Sequence, residues 1–114
     1  MTPRFISPGL HGLFDYALDL SLVAVPLAAG FTGAALWLSV AVGATNATYS
    51  FLTAYRAGAV PLLPFRTHLV IDLAIGVGFA LAPFALGFSG FPRQFFVGVG
   101  VGIVVFVAAT RPEP

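Results

Sequence analysis

Residues 11–33, HGLFDYALDLSLVAVPLAAGFTG, return at residues 68–90 as HLVIDLAIGVGFALAPFALGFSG. A shift of 57 residues, without a gap, lays His68 on His11, Asp72 on Asp15, Ala74 on Ala17, Pro83 on Pro26, Ala85 on Ala28 and Gly87-Phe88-Ser89-Gly90 on Gly30-Phe31-Thr32-Gly33. Eight of the 23 positions are identical, where this composition gives roughly two by chance. Most of the others exchange one aliphatic or aromatic residue for another. The stretch reads as an internal duplication, and the rest of the chain is organised around it.

Hydrophobic residues make up 59% of the 114 and charged residues 8%, a membrane composition rather than a soluble one. Between Leu10 and Thr110 only Asp15, Asp19, Arg56, Arg66, Asp72 and Arg93 carry formal charge. Four apolar stretches of about 20 residues emerge, each long enough for a hydrocarbon core of about 30 Å. The expected helices cover 11–29, 34–55, 67–86 and 93–110. The predicted fold class is an all-α membrane protein: one domain, 1–114, of four transmembrane helices in two tandem helical hairpins. Repeat 1 covers about 10–55, an interfacial linker 56–66 and repeat 2 about 67–110. Because a two-helix unit restores the direction of insertion, the repeats are expected to be parallel, with a pseudo-twofold along the membrane normal.

Local punctuation agrees with this division. Pro3, Ser7, Pro8 and Gly9 form a turn-rich lead-in, and Pro26 and Pro83 fall in the last turns of their helices, just before glycine-bounded tips. Arg56, Gly58, Pro61 and Pro64 cannot continue a helix. The intervening Val60, Leu62, Leu63 and Phe65 are too apolar for open solvent, so the linker should lie along the interface. Trp37 belongs near a membrane boundary. Ala28-Ala29-Gly30 mimics a signal-peptidase site, but its segment recurs deep in the chain, so a retained helix is expected. The formal glycosylation acceptor Asn46-Ala47-Thr48 lies inside an apolar run, out of an aqueous enzyme's reach.

A net charge of +1 with no lysine supplies no basic patch, so nucleic acid is not an expected partner. The absence of cysteine removes disulfides, thiolate metal sites and iron–sulfur clusters. Arg4, Arg56, Arg66 and Arg111 fall on one predicted side and only Arg93 on the other, which puts both termini in the cytoplasm.

His11 and Asp15, like His68 and Asp72, are four residues apart and share a helix face. Three readings of these pairs stand open. The histidines meet on the bundle axis and hold haem b, or the four side chains hold a divalent metal; the groups relay protons or ions; or each histidine caps its own helix start, with the aspartate near the positive end of the helix dipole. Asp19, whose repeat partner is Gly76, lies about 12 Å deeper than His11. A carboxylate at that depth costs at least ~2.5–3.5 kcal/mol, so it should be protonated or held by donors. Ser39, Gly43, Asn46, Ser50 and Thr53 share one face of helix two, with Thr45, Thr48 and Tyr49 beside it. Depth counting puts Asn46 level with Asp19, Ser50 with Asp15 and Thr53 near His11, making either a buried ion site or an interhelical hydrogen-bonded seam. In the second hairpin Asn46, Ser50 and Ser39 align with Ile103, Val107 and Phe96, so polarity is concentrated in one half. Arg56 and Arg66 are placed to snorkel toward Asp72 or Asp15. Gly98 and Gly102 have the small-xxx-small spacing that permits close helix packing. No serine or threonine has a histidine base at matching depth and no phosphate-binding glycine loop precedes a lysine, so enzymatic activity is not expected.

The stretch from Asp72 through Ala82-Pro83-Phe84 to Leu86-Gly87-Phe88-Ser89-Gly90, and its first copy, Val25-Pro26-Leu27 leading to Gly30-Phe31-Thr32-Gly33, resembles the SPW-repeat family of small bacterial membrane proteins. Both copies keep that motif's proline without its flanking Ser and Trp. The resemblance implies two helices per repeat and a bacterial inner-membrane location, and it carries no activity. The leading expectation is a structural or accessory membrane protein, self-associating into a homo-oligomer or serving as a subunit of a larger complex. The alternatives are a haem b or metal module on His11 and His68, and a small proton- or ion-coupled transporter centred on Asp19.

Overall fold

The computed structural model describes residues 4–113; the lead-in turn expected at Pro3 lies outside them. Among the described residues the chain forms four helices and no strand: α1 (Pro8–Ala28), α2 (Gly33–Phe51), α3 (Phe65–Leu86) and α4 (Gly90–Ala109). Ser7 fixes the start of α1 by accepting the Leu10 N–H at 3.1 Å, with Pro8 preset for the first turn. Pro64 precedes α3 in the extended conformation. Both helices thus begin before their histidines, and neither carries an acidic residue in its first turn. His11 and His68 are therefore not caps, and Asp15 and Asp72 lie too far along to use the dipole, whose effect fades within the first turn.

At the far ends the chain reverses through glycines at positive φ: Gly30 (74°) and Gly33 (57°) between α1 and α2, Gly87 (75°) and Gly90 (63°) between α3 and α4. A side chain would strain these four positions. Pro26 lacks the N–H that would engage the Leu22 carbonyl, and Ser39 supplies the missing donor at 2.7 Å. At the equivalent depth of α3 and α4, Phe79 and Phe96 stack with centroids 4.2 Å apart.

Helix α1 packs on α2 and α3 on α4, with a lighter contact between α2 and α3. Helix α2 stops at Phe51, four residues short of the expected Tyr55. The following segment folds back: Leu63 N–H donates to Leu52 O and Ala54 N–H to Leu63 O, each at 2.8 Å. A Cβ on Gly58 would lie 1.9 Å from the Thr53 carbonyl, so only glycine makes this turn. Its result is a buried Tyr55 aimed at α1. On the other side Ile6 N–H donates to Ala109 O at 3.0 Å and Arg111 N–H to Ile6 O at 2.9 Å. The lead-in, the linker and the C-terminal segment therefore gather at one end of the bundle.

Helices α1, α3 and α4 are long and apolar enough to cross a membrane. Helix α2 is as long but carries the serines, threonines and asparagine of the predicted polar face. That face is turned inward, with Ser39, Gly43, Asn46 and Ser50 buried. Outward-facing Leu20, Trp37, Val70, Leu81 and Val105 are exposed, an apolar exterior suited to lipid.

Helix α4 meets α3 through Gly100, where a Cβ would come within 2.5 Å of Gly76 O and Ala80 N, whereas Gly98 and Gly102 lie on the exposed side of α4 with nothing within 4 Å of theirs. One expectation is corrected: Arg66 does not reach the buried aspartates but pairs with Glu113 at the surface, where both heads stay in water.

Candidate metal centre

Helices α1 and α3 each project a histidine and, one turn on, an aspartate into the same buried space, and the pairs cross. His11 Nε2 lies 2.8 Å from Asp72 Oδ2 and 3.4 Å from its own helix's Asp15 Oδ1. His68 Nε2 lies 3.0 Å from Asp15 Oδ2 and 3.1 Å from Asp72 Oδ2. All four residues are buried, and one ligand atom from each fits within 4.8 Å of all the others.

The surrounding groups fix which atoms face inward. Thr53 donates its single hydroxyl proton to the Tyr49 carbonyl, so toward His68 Nδ1, 2.8 Å away, its oxygen can only accept. Thr110 donates likewise to the Phe106 carbonyl and accepts from His11 Nδ1 at 2.9 Å. Both imidazoles therefore carry a proton on Nδ1 and turn Nε2 toward the carboxylates. Tyr55 donates to Asp15 Oδ2 at 2.9 Å and Tyr49 to Asp72 Oδ1. Burial, with the Asp15 charge beside it, holds the Tyr55 phenol above its usual range, so it remains a donor. Hydroxyls behind imidazoles and phenols behind carboxylates are what orient ligands around a metal.

One polar atom is left over at the centre. His68 Nε2, on a fully buried side chain, is close to two carboxylate oxygens yet aligned for a hydrogen bond with neither. Donors around a four-coordinate ion with bonds of 2.0–2.2 Å sit roughly 3.3–3.6 Å apart, so the histidine–carboxylate spacings of 2.8–3.4 Å would open by a few tenths of an ångström to take one. Two carboxylates balance a divalent charge, and imidazole with carboxylate suits zinc, iron(II) or manganese.

The same distances remove the haem reading. The imidazole rings stand edge to face with centroids 5.5 Å apart, and both Nε2 atoms address one oxygen of Asp72, which leaves no slot for a porphyrin between them. Beside the cluster is a cavity of about 200 Å³, lined by His11, Asp15, Asp72, Tyr49 and Asn46 and by apolar residues of α1, α3 and α4. It is smaller than the roughly 300–1,000 Å³ clefts that hold drug-sized molecules.

Asp19 lies one turn beyond Asp15. Its Oδ1 accepts from Asn46 Nδ2 at 2.6 Å, at the depth the sequence indicated, and its buried Oδ2 has no hydrogen-bond partner. The other two expected layers are rearranged. Ser50 reaches Asn46 Oδ1 at 3.4 Å rather than Asp15, and Thr53 serves His68 of the other hairpin while Thr110 serves His11. The residues just past the end of each second helix thus meet the histidine of the opposite hairpin.

Thr110 and Tyr55 were missed as site residues. A signal for Thr110 was available, because Thr53 is its equivalent under the same 57-residue shift. Tyr55 had none, since only the break in α2 turns it inward. In comparisons with known proteins, no protein-family model matches this chain, nor does any curated protein or solved structure.

Proposed function

We propose that this chain is a four-span integral membrane protein of two parallel hairpins that holds one divalent transition-metal ion between His11, Asp15, His68 and Asp72. The observation that carries the reading is His68 Nε2, fully buried between carboxylates of both hairpins and bonded to neither. A cation among the four donors would give that atom an aligned partner that the carboxylates do not. The four-span arrangement is supported by positive-φ glycines, proline positions and threonine–histidine contacts that recur 57 residues apart. It is also supported by the inward polar face of α2, whose neighbours are apolar enough to cross a membrane. The end bearing Arg4, Arg56, Arg66 and Arg111 faces the cytoplasm of a bacterial inner membrane.

A second reading, the structural or accessory one, is favoured by the crossed pairing itself. Without a metal, imidazolium–carboxylate contacts between hairpins clasp the bundle, and removing one member of such a buried set costs roughly 3–5 kcal/mol. Elemental analysis and Co²⁺ titration of the detergent-purified protein separate the two. One ion per chain, with visible Co²⁺ bands lost in His68→Ala and Asp72→Asn, is expected; wild type that stays metal-free under Zn²⁺, Fe²⁺, Mn²⁺ and Co²⁺ leaves the clasp.

A further inference from the structure

We infer that the ion proposed above keeps a coordination position open to the neighbouring cavity, and that this position takes a small, uncharged, lipid-soluble molecule bearing one lone-pair donor; the inference rests on the metal-binding reading. Of the four ligand residues, His11, Asp15 and Asp72 line the cavity and His68 does not. An ion held by the set would therefore have His68 behind it, three donors around it and the cavity in front. Metal sites that bind substrates differ from purely structural ones in keeping such a position free.

The lining selects the class of ligand. The apolar part of the lining is Phe14, Leu18, Ile75, Val99, Ile103 and Phe106. Of the remaining polar liners, Tyr49 donates to Asp72, and Asn46 gives Asp19 one of its two amide hydrogens. Apart from the ligand set there is no charge, so a charged molecule would lose most of its hydration without compensation from the walls. A neutral molecule whose single donor atom meets the ion would lose almost nothing.

The cavity also has a side from which to fill. On the α1–α4 side the cluster is closed by the His11–Thr110 hydrogen bond and the Phe14–Phe106 ring contact at 4.9 Å. Gly102, which lines the cavity on α4, is itself exposed, and a Cβ there would meet nothing within 4 Å. Under the 57-residue shift Thr45 stands where α4 has Gly102. The first hairpin carries a side chain at the position that the second leaves bare.

The test uses Co²⁺-loaded protein in detergent, with 4-ethylpyridine as a neutral lipid-soluble probe and azide as a charged one. The visible bands should shift and saturate with 4-ethylpyridine and stay unmoved by azide. Gly102→Phe, which fills the cavity, should weaken the pyridine response at least tenfold with one Co²⁺ still bound, and Gly98→Phe, on the same exposed side but outside the cavity, should leave it intact. Failure of the wild type to bind Co²⁺ sinks the metal reading and this inference together. Co²⁺ binding with no pyridine shift, an equal shift by azide, or an equal response in Gly102→Phe overturns the open position alone.

Discussion

The two hairpins solve one packing problem with different chemistry. In the first, the carbonyl freed by Pro26 receives the Ser39 hydroxyl, and one turn nearer the histidines Asp19 receives the Asn46 amide. In the second, the matching depths hold the stacked Phe79–Phe96 pair and the bare crossing of Gly76 over Gly100. The first seam is hydrogen-bonded and the second is packed. In lipid the difference matters, because no hydrophobic force drives helices together and the seam's own contacts must do so. A hydrogen-bonded seam tolerates imperfect fit, whereas a packed seam depends on shape.

Substitutions at equivalent positions should expose that contrast. Phe96→Ala removes a fully buried ring and should cost about 3 kcal/mol, the low end for such truncations because acyl chains rather than water meet the exposed surface. Ser39→Ala at the matching position should cost only about 1 kcal/mol, the worth of one hydrogen bond. Unfolding in detergent measures both, and equal losses would erase the distinction. Gly100→Ala puts a methyl group 2.5 Å from backbone atoms of α3 and should cost about 2–3 kcal/mol. Gly43→Ala, whose nearest contacts are Leu22 Cβ at 3.0 Å and the Asp19 carbonyl at 3.1 Å, should cost less, since the approach there is wider than at Gly100.

Tyr49→Phe sharpens the comparison at the candidate metal centre, because it makes α2 resemble α4, where Phe106 stands. Losing the hydroxyl behind Asp72 should weaken Co²⁺ binding by about 10- to 100-fold, read by titration. The smallest effect is expected at Asp19. Asp19→Asn keeps an acceptor for Asn46 and removes a carboxylate oxygen that has no partner, so stability should stay level or rise by up to about 1 kcal/mol. Should the wild type conduct cations in liposomes and this variant not, the carboxyl belongs to a transport step rather than to the seam.

Much of the architecture is legible in the duplicated stretch. Helix number, the glycine-bounded tips, the inward polar face of α2 and the Asp19–Asn46 level follow from periodicity and depth, which are properties of single helices and their order. The four metal-site candidates were legible as residues, two helix-face pairs, but not as a crossed quartet. Spacing places His11 beside Asp15; it does not say that His11 lies closer to Asp72. The glycines of α4 divide for a related reason, since the chain offers Gly98, Gly100 and Gly102 alike and only the rotation of α4 against α3 selects Gly100 for the contact within the chain.

By itself, then, the sequence determined four helices, their pairing through tight turns, and the burial of histidine and aspartate, because length, hydropathy and glycine placement act locally. The tertiary structure decided which imidazole meets which carboxylate, that threonines from the ends of α2 and α4 set the histidine tautomers, and that a cavity remains beside the cluster. Those outcomes depend on the rotation and crossing of helices far apart in the chain, and no local spacing encodes them.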